Sequence, residues 1–261
     1  MRLLSLLSIF LCSLLISCGN DELTGPNKES AAQLSPPPSL KKRIVLIVDI
    51  SSSLTVASKN LAAKYAAQVA QNLSDKSHLL IYTTEKNIAA QAIIDEKKFI
   101  PLKPMDKANY QAKIWPAIEN KIHKTVLQKC NTGEPTSCIL DGLKSARTGI
   151  SGGVQAKETF LLILSDMLED CHFGRPVKGA DFAKMKEKLE KSDLDSFQLV
   201  NVIPEGNITI CYINQDARAG NAAMINSVEF REFWKQAFKM LGYSDWPQPV
   251  TSIDAFLEKI D

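Results

Sequence analysis

The sequence predicts an α/β fold, a doubly wound and mostly parallel β-sheet flanked by helices. Two continuous apolar runs, 43–48 and 160–164, are typical of strands that helices cover on both faces. Between these runs, apolar residues recur at helical spacing, as in 56–73. Because strands and helices alternate along the chain, we expect parallel strand pairing with helical crossovers.

The same periodicities predict the individual elements. Strands are predicted at 43–48, 78–83, 88–94, 160–164, 196–203 and 207–213. Helices are predicted at 56–73, 107–128, 139–148, 180–191 and 227–241, the last with Gly242 as its stop. In a sheet of this kind, ligands bind beyond the carboxyl ends of the strands, near the point where the strand order reverses.

The chain begins with features of an export signal. A short basic start precedes an apolar run that is shorter than the roughly 20 residues of a membrane-spanning helix. Its end, Leu-Ile-Ser-Cys at 15–18, resembles the lipobox of bacterial lipoproteins. The resemblance implies a signal peptide over residues 1–17 and a lipidated, palmitate-bearing Cys18. An ordinary signal peptide or an uncleaved anchor is the alternative. Because Gly19 and not an aspartate follows, the resemblance implies the outer membrane, with the protein facing the periplasm.

Two regions follow the signal. Residues 18–41 are polar and rich in proline and serine, which predicts a flexible linker behind the lipid anchor. Residues 42–261 are long enough for one well-cored domain with a C-terminal helical extension. The formal net charge of +2 is nearly balanced, which argues against nucleic acid as a partner. Membrane contact is expected only through the lipid.

Cysteine usage agrees with export. The predicted signal contains Cys12, and the resemblance assigns the lipid to Cys18. The remaining cysteines are Cys130, Cys138, Cys171 and Cys211. In an oxidising compartment they suggest two disulfides, for which three pairings exist. We predict Cys130–Cys138 and Cys171–Cys211. A structural zinc site that uses Cys130, Cys138, Cys171 and His172 is the alternative.

An acid and a row of hydroxyls follow the first buried strand, in the stretch VLIVDISSSL. Asp49 comes directly after the strand, and Ser51 and Ser53 follow it at alternate positions. Carboxylate and hydroxyl oxygens are the hard ligands that Mg²⁺ prefers. In the alternative interpretation the serines only cap the next helix and Asp49 is a hydrogen-bonded buried acid.

This triplet resembles the metal-ion-dependent adhesion site (MIDAS) of von Willebrand factor type A (VWA) domains, a Rossmann-like fold. The family's second ligand loop matches SCILDGL at 137–143, with Thr136 as the alternative ligand to its serine. The third matches LILSD at 162–166, although Met167 stands where the family usually has glycine. The resemblance implies five metal ligands: Asp49, Ser51, Ser53, Ser137 and Asp166.

The implied function is adhesion and not catalysis. The resemblance implies a Mg²⁺ ion (or Mn²⁺ or Ca²⁺) that accepts an Asp or Glu carboxylate from a partner protein, in a cell-envelope or secretion/transfer assembly. Disulfides beside the ligand loops would pre-organise that metal face, or, in the alternative interpretation, would only crosslink long loops. The alternatives are a metal-dependent, phosphoesterase-like envelope hydrolase and a structural VWA domain whose metal site has decayed. The string GISGG at 149–153 matches a hydrolase nucleophile elbow, but it follows a helix and is predicted to be a turn.

Overall fold

The centre of the fold is a six-stranded sheet in the order β3-β2-β1-β4-β5-β6. The strands are β1 Leu40–Val48, β2 Ser77–Thr83, β3 Ile94–Lys98, β4 Ala156–Leu164, β5 Ile208–Ile213 and β6 Gln248–Pro249. All neighbouring pairs are parallel except β2 with β3. This computed structural model describes residues 39–52, 54–86, 91–151, 155–191, 208–213, 223–243 and 247–261. The mostly parallel α/β architecture is thereby confirmed.

The strand order reverses between β1 and β4. From β1 the chain steps outward through β2 to β3, and it then returns to add β4 on the other side of β1. The register places Val48 opposite both Thr83 and Leu164, so that β1, β2 and β4 end at the same edge. This edge is the place where doubly wound sheets bind ligands.

Helices cover both faces of the sheet. The helices are α1 Val56–Gln71, α2 Pro104–Asn109, α3 Trp115–Thr132, α4 Ile139–Ser151, α5 Gly179–Lys191, α6 Val228–Met240 and α7 Ile253–Ile260. Buried side chains of α1, α3 and α7 pack with Ile44, Leu46 and Val48 on one face. Those of α4, α5 and α6 pack with Val45 and Ile47 on the other. The apolar run of β1 is continuous because its alternate residues enter two different cores.

Two elements differ from the sequence prediction. Of the strand predicted at 88–94, residues 88–90 lie outside the described residues and 91–93 are not strand. β3 begins at Ile94 and runs antiparallel along the edge of the sheet. The helix predicted at 107–128 is interrupted by a π-helical turn, Tyr110–Ile114, between α2 and α3. Pro116 lies at the start of α3 and has no N–H to donate to the preceding turn, which favours a shifted hydrogen-bond pattern there.

Several predictions fall outside the described residues. These are the signal peptide, Cys18, nearly all of the linker and the strand at 196–203. Within the described ranges, no helix combines the length and the apolar character that crossing a bilayer requires. Residues Pro38–Asp261 form one compact unit.

Candidate metal centre

The centre of the site is the carboxylate of Asp49, which is fully buried at the end of β1. Its Oδ1 accepts hydrogen bonds from the Ser51 amide at 2.9 Å and from the Thr84 hydroxyl at 3.2 Å. Its Oδ2 accepts from the hydroxyls of Ser137 at 3.0 Å and Ser165 at 2.8 Å. Four donors from four chain segments therefore share one carboxylate.

Strand ends place these donors. The amide of Asp49 bonds to the carbonyl of Leu164 at 2.9 Å, which joins the ends of β1 and β4. The amide of Thr84 bonds to the carbonyl of Val48 at 3.2 Å, which joins β2 to β1. Ser165 is the first residue after β4. The site therefore lies at the point where the strand order reverses.

The loop after Asp49 is held against the segment that leads into α4. The Ser52 amide donates to the Glu134 carbonyl at 2.7 Å. A Cβ on Gly133 would lie 2.1 Å from the carbonyl oxygen of Ile50, so only glycine permits this approach. The amide of Cys138 in turn bonds to the Thr84 carbonyl at 3.1 Å. These contacts bring the Ser137 loop over the end of the sheet.

The structure shows direct contact with Asp49 for some of the predicted ligands. Ser51 and Ser137 contact it directly. The hydroxyl of the alternative ligand, Thr136, lies 3.8 Å from the sulfur of Cys138. Asp166 follows Ser165 and is buried, and its Oδ1 accepts from the Leu168 amide at 3.0 Å. Ser53 is outside the described residues.

Sequence reasoning missed two residues of the site, Thr84 and Ser165. Both are buried, and both donate a hydroxyl to Asp49. The available signal was their position, because each is the first residue after a strand that neighbours β1. Hydroxyl residues at the carboxyl ends of adjacent parallel strands meet at one edge.

Met167 occupies the position where the resemblance to VWA domains predicts glycine, and its backbone conformation is one that glycine favours. It adopts a φ of 61°, the left-handed conformation that glycine takes most easily. Its side chain is fully buried, and its carbonyl accepts from the Trp234 indole at 3.1 Å. The loop therefore keeps a glycine-like backbone while the methionine side chain packs into the core.

The predicted disulfide pairs are wrong. The structure joins Cys138 to Cys171, with their Cα atoms 5.0 Å apart, while Cys130 and Cys211 are free and buried. Cys130 lies on the core face of α3, and Cys211 lies within β5. Both side chains are buried in the core that α1, α3 and α7 form with the sheet. The alternative zinc site is also not formed, because two of its thiols are in the disulfide.

Two acidic side chains, Asp170 and Glu169, lie in the segment that contacts the Ser137 loop. Burial raises the pKa of Asp170, and the nearby charge of Asp49 raises it further. Burial also raises the pKa of the fully buried Glu169 to about 7, although it accepts hydrogen bonds from three amides. The repulsion between the Asp49 and Asp170 carboxylates would be relieved by a cation between them.

The donor set fits a hard divalent cation. Ser137 donates its only hydroxyl proton to Asp49, and its oxygen lone pairs therefore remain available. The other candidate donors that the structure describes are the Ser51 hydroxyl and the carboxylates of Asp166 and Asp49. Asp49 already accepts four hydrogen bonds and would have to exchange one of them to bind an ion directly. All of these candidate donors are oxygen ligands, the type that Mg²⁺ and Ca²⁺ select over nitrogen and sulfur.

No family model and no curated protein sequence matches the chain. Among solved structures, it aligns with the PilB minor pilin of Streptococcus sanguinis at 9% identity and a TM-score of 0.43, over 86% of this chain and 60% of the pilin. It also aligns with the human COPII-coat protein Sec24c at 8% identity and a TM-score of 0.40, over 85% of this chain and 32% of that one. The chain thus spans only part of either protein, and at such low identity neither alignment bears on what this chain binds.

Proposed function

We propose that this protein is an envelope lipoprotein whose VWA-like domain binds a partner protein through a divalent metal. The observation that carries the proposal is the buried Asp49 carboxylate, which orients the hydroxyls of Ser137 and Ser165 at the strand-order reversal. Three segments that are distant in sequence supply these residues. Their convergence favours a binding site over a simple helix cap.

The proposed metal ligands are Asp49, Ser51, Ser53, Ser137 and Asp166. An ion held by these residues, Mg²⁺ or alternatively Mn²⁺ or Ca²⁺, would supply an electrophile for an external oxygen. With five ligands, of which only two are carboxylates, this set would leave a position of a six-coordinate ion open. A carboxylate from the partner would fill that position with a hard anionic oxygen. The residues of this chain hold and orient the ligand oxygens, and Asp49 does so through its hydrogen bonds.

The proposed setting is a cell-envelope or secretion/transfer assembly. The lipobox-like segment ending at Cys18 would tether the domain to the outer membrane, and the polar linker would let it reach a partner in the periplasm. We propose no catalytic role. The serine of the elbow-like string, Ser151, is the last residue of α4, and its hydroxyl donates to the Arg147 carbonyl at 3.0 Å.

Calorimetric titration of Mg²⁺ and Mn²⁺ into residues 38–261 tests the proposal. The unsubstituted domain should bind one ion, and Asp49→Asn should abolish binding. Asp106→Asn is the matched control, because this aspartate is exposed and lies in α2, which supplies none of the residues around Asp49. Absence of binding by the unsubstituted domain would support the decayed-site alternative. Turnover of a phosphoester panel that is lost in Asp49→Asn would support a hydrolase.

A further inference from the structure

A short segment after β4, Glu169–His172, is attached to the start of α4 by several independent bonds. We refer to it as the clasp segment. The covalent bond is the Cys138–Cys171 disulfide. Because Cys138 directly follows Ser137, this crosslink lies one residue from a hydroxyl that contacts Asp49.

Two hydrogen bonds attach the backbone of Ser137 to Asp170. The Ser137 amide donates to Oδ1 of Asp170. The Asp170 amide donates to the Ser137 carbonyl at 3.2 Å. The backbone of Ser137 is therefore fixed to the clasp segment through both its donor and its acceptor, and the direction of its side chain follows from that backbone.

The flanking residues extend the attachment along α4. The buried Glu169 accepts the Leu140 amide at 2.9 Å, which satisfies a free N–H in the first turn of that helix. The His172 imidazole Nε2 lies 3.1 Å from Oδ1 of Asp141. Four residues of the 137–141 segment thus contact the clasp segment, namely Ser137, Cys138, Leu140 and Asp141.

We propose that the redox state of the Cys138–Cys171 disulfide controls the position of Ser137. The oxidised protein binds the metal, and reduction of the disulfide weakens metal binding. This regulation rests on the proposed function of the Asp49 site. Cys138 and Cys171 are positioning residues, because they act on the site through the backbone of Ser137.

The redox step needs a dithiol as reductant. Its thiolate attacks one cysteine sulfur and breaks the Cys138–Cys171 bond, which forms a mixed disulfide. The second thiol of the reductant then displaces the protein sulfur. Two electrons and two protons pass to the protein, and the products are two cysteine thiols and the oxidised dithiol. The protein's other two described thiols, Cys130 and Cys211, are already reduced and buried, so they take no part.

Metal titration of oxidised and dithiothreitol-reduced residues 38–261 tests this redox control, with mass spectrometry to count the free thiols. We expect reduction to weaken Mn²⁺ binding about ten- to a hundredfold, the usual effect of losing a residue that orients a metal ligand. The double variant Cys138→Ser/Cys171→Ser should bind as weakly and should no longer respond to dithiothreitol. Cys211→Ser, which leaves the disulfide intact, should retain the full redox response.

A second pair of variants separates positioning from folding. Asp170→Asn keeps an oxygen that can accept from the Ser137 amide, and it should restore most of the affinity that Asp170→Ala loses. Circular dichroism at the titration temperature establishes that each variant is folded. Equal affinities for the oxidised, reduced and double-serine proteins would overturn the redox control while the metal site stands. Absence of binding by the oxidised protein would instead overturn the proposed function itself.

Discussion

The hydroxyl of Ser165 bridges two parts of the site: it donates to Oδ2 of Asp49 at 2.8 Å and accepts from the Met167 amide at 2.9 Å. The end of β1 is thereby tied to the loop that follows β4. Both residues are fully buried, so water does not compete for these bonds. The acid at the centre therefore contributes to folding as well as to binding.

Replacing Asp49 should separate these two contributions. Asp49→Ala leaves the hydroxyls of Thr84, Ser137 and Ser165 without their acceptor, and we expect the free energy of unfolding to fall by about 2–4 kcal/mol. Asp49→Asn keeps one acceptor oxygen but replaces the other with an NH2 group that cannot accept, so it should cost less than alanine, about 1–2 kcal/mol. Urea unfolding in the presence of a chelator measures both values. Equal stability of Asp49→Ala and the unsubstituted domain would contradict the hydrogen-bonding role.

Two adjacent threonines provide a matched comparison. Thr84 donates to Asp49 and accepts from the Ile50 amide at 3.3 Å, so Thr84→Val should lower the free energy of unfolding by about 1–2 kcal/mol. The hydroxyl of Thr83 is buried and has no hydrogen-bond partner among the atoms that the structure describes. Thr83→Val should therefore leave stability unchanged or raise it by up to about 1 kcal/mol. The same urea experiment distinguishes the two variants, and a larger loss for Thr83→Val would refute the assignment.

At position 167, a glycine variant should be more stable than an alanine variant, which is the reverse of the usual order. Both substitutions remove a buried side chain, at a cost of about 2–5 kcal/mol. Glycine also removes the strain of a left-handed backbone, which is about 1–2 kcal/mol for other residues. Met167→Gly should therefore be more stable than Met167→Ala, by about 1 kcal/mol in thermal or urea unfolding. The opposite order would mean that the loop relaxes to a negative φ when the side chain is lost.

Stability should fall as the pH rises through neutrality. Burial raises the pKa of Glu169 to about 7, above its ordinary value of 4.5. A hydrogen bond to Asp141 raises the pKa of His172. Both groups bind protons more tightly in the folded chain, so their contribution is full at low pH. The contribution of Glu169 is lost between about pH 4.5 and 7, and that of His172 is lost as the pH rises further.

The variant Glu169→Gln tests the contribution of Glu169 to this pH dependence of stability. Without metal, the decline in unfolding free energy between about pH 4.5 and 7 should become shallower, since one proton changes the slope by at most about 1.4 kcal/mol per pH unit. The exposed Glu187, also changed to glutamine, is the control and should keep the original slope. An unchanged profile in Glu169→Gln would show that Glu169 does not titrate in this range.

Much of the architecture could be predicted from one property, apolar periodicity. The runs in β1 and β4 are continuous because both faces of the sheet are covered, and this pattern is local in sequence. β3 was placed too early because an edge strand buries only alternate residues, and its charged sequence carries a weak signal. The interrupted helix before α3 depends on one proline, which a periodicity average does not register.

The sequence predicted residues of the candidate site only where they belong to a motif with characteristic spacing. Asp49, Ser51 and Ser137 belong to motifs, and the structure brings them together. Thr84 and Ser165 are single hydroxyl residues whose role depends on strand order. The disulfide pairing depends on the fold in the same way, because it requires knowing that Cys130 faces a core and that Cys171 faces the start of α4.

One of the two edge strands of the described sheet, β6, is only two residues long and ends in the exposed Pro249. Proline offers no amide hydrogen to an incoming chain, so this border is a poor template for strand addition by a neighbouring molecule. A crowded array of such domains on a surface would therefore resist fusing into continuous β-structure along this side.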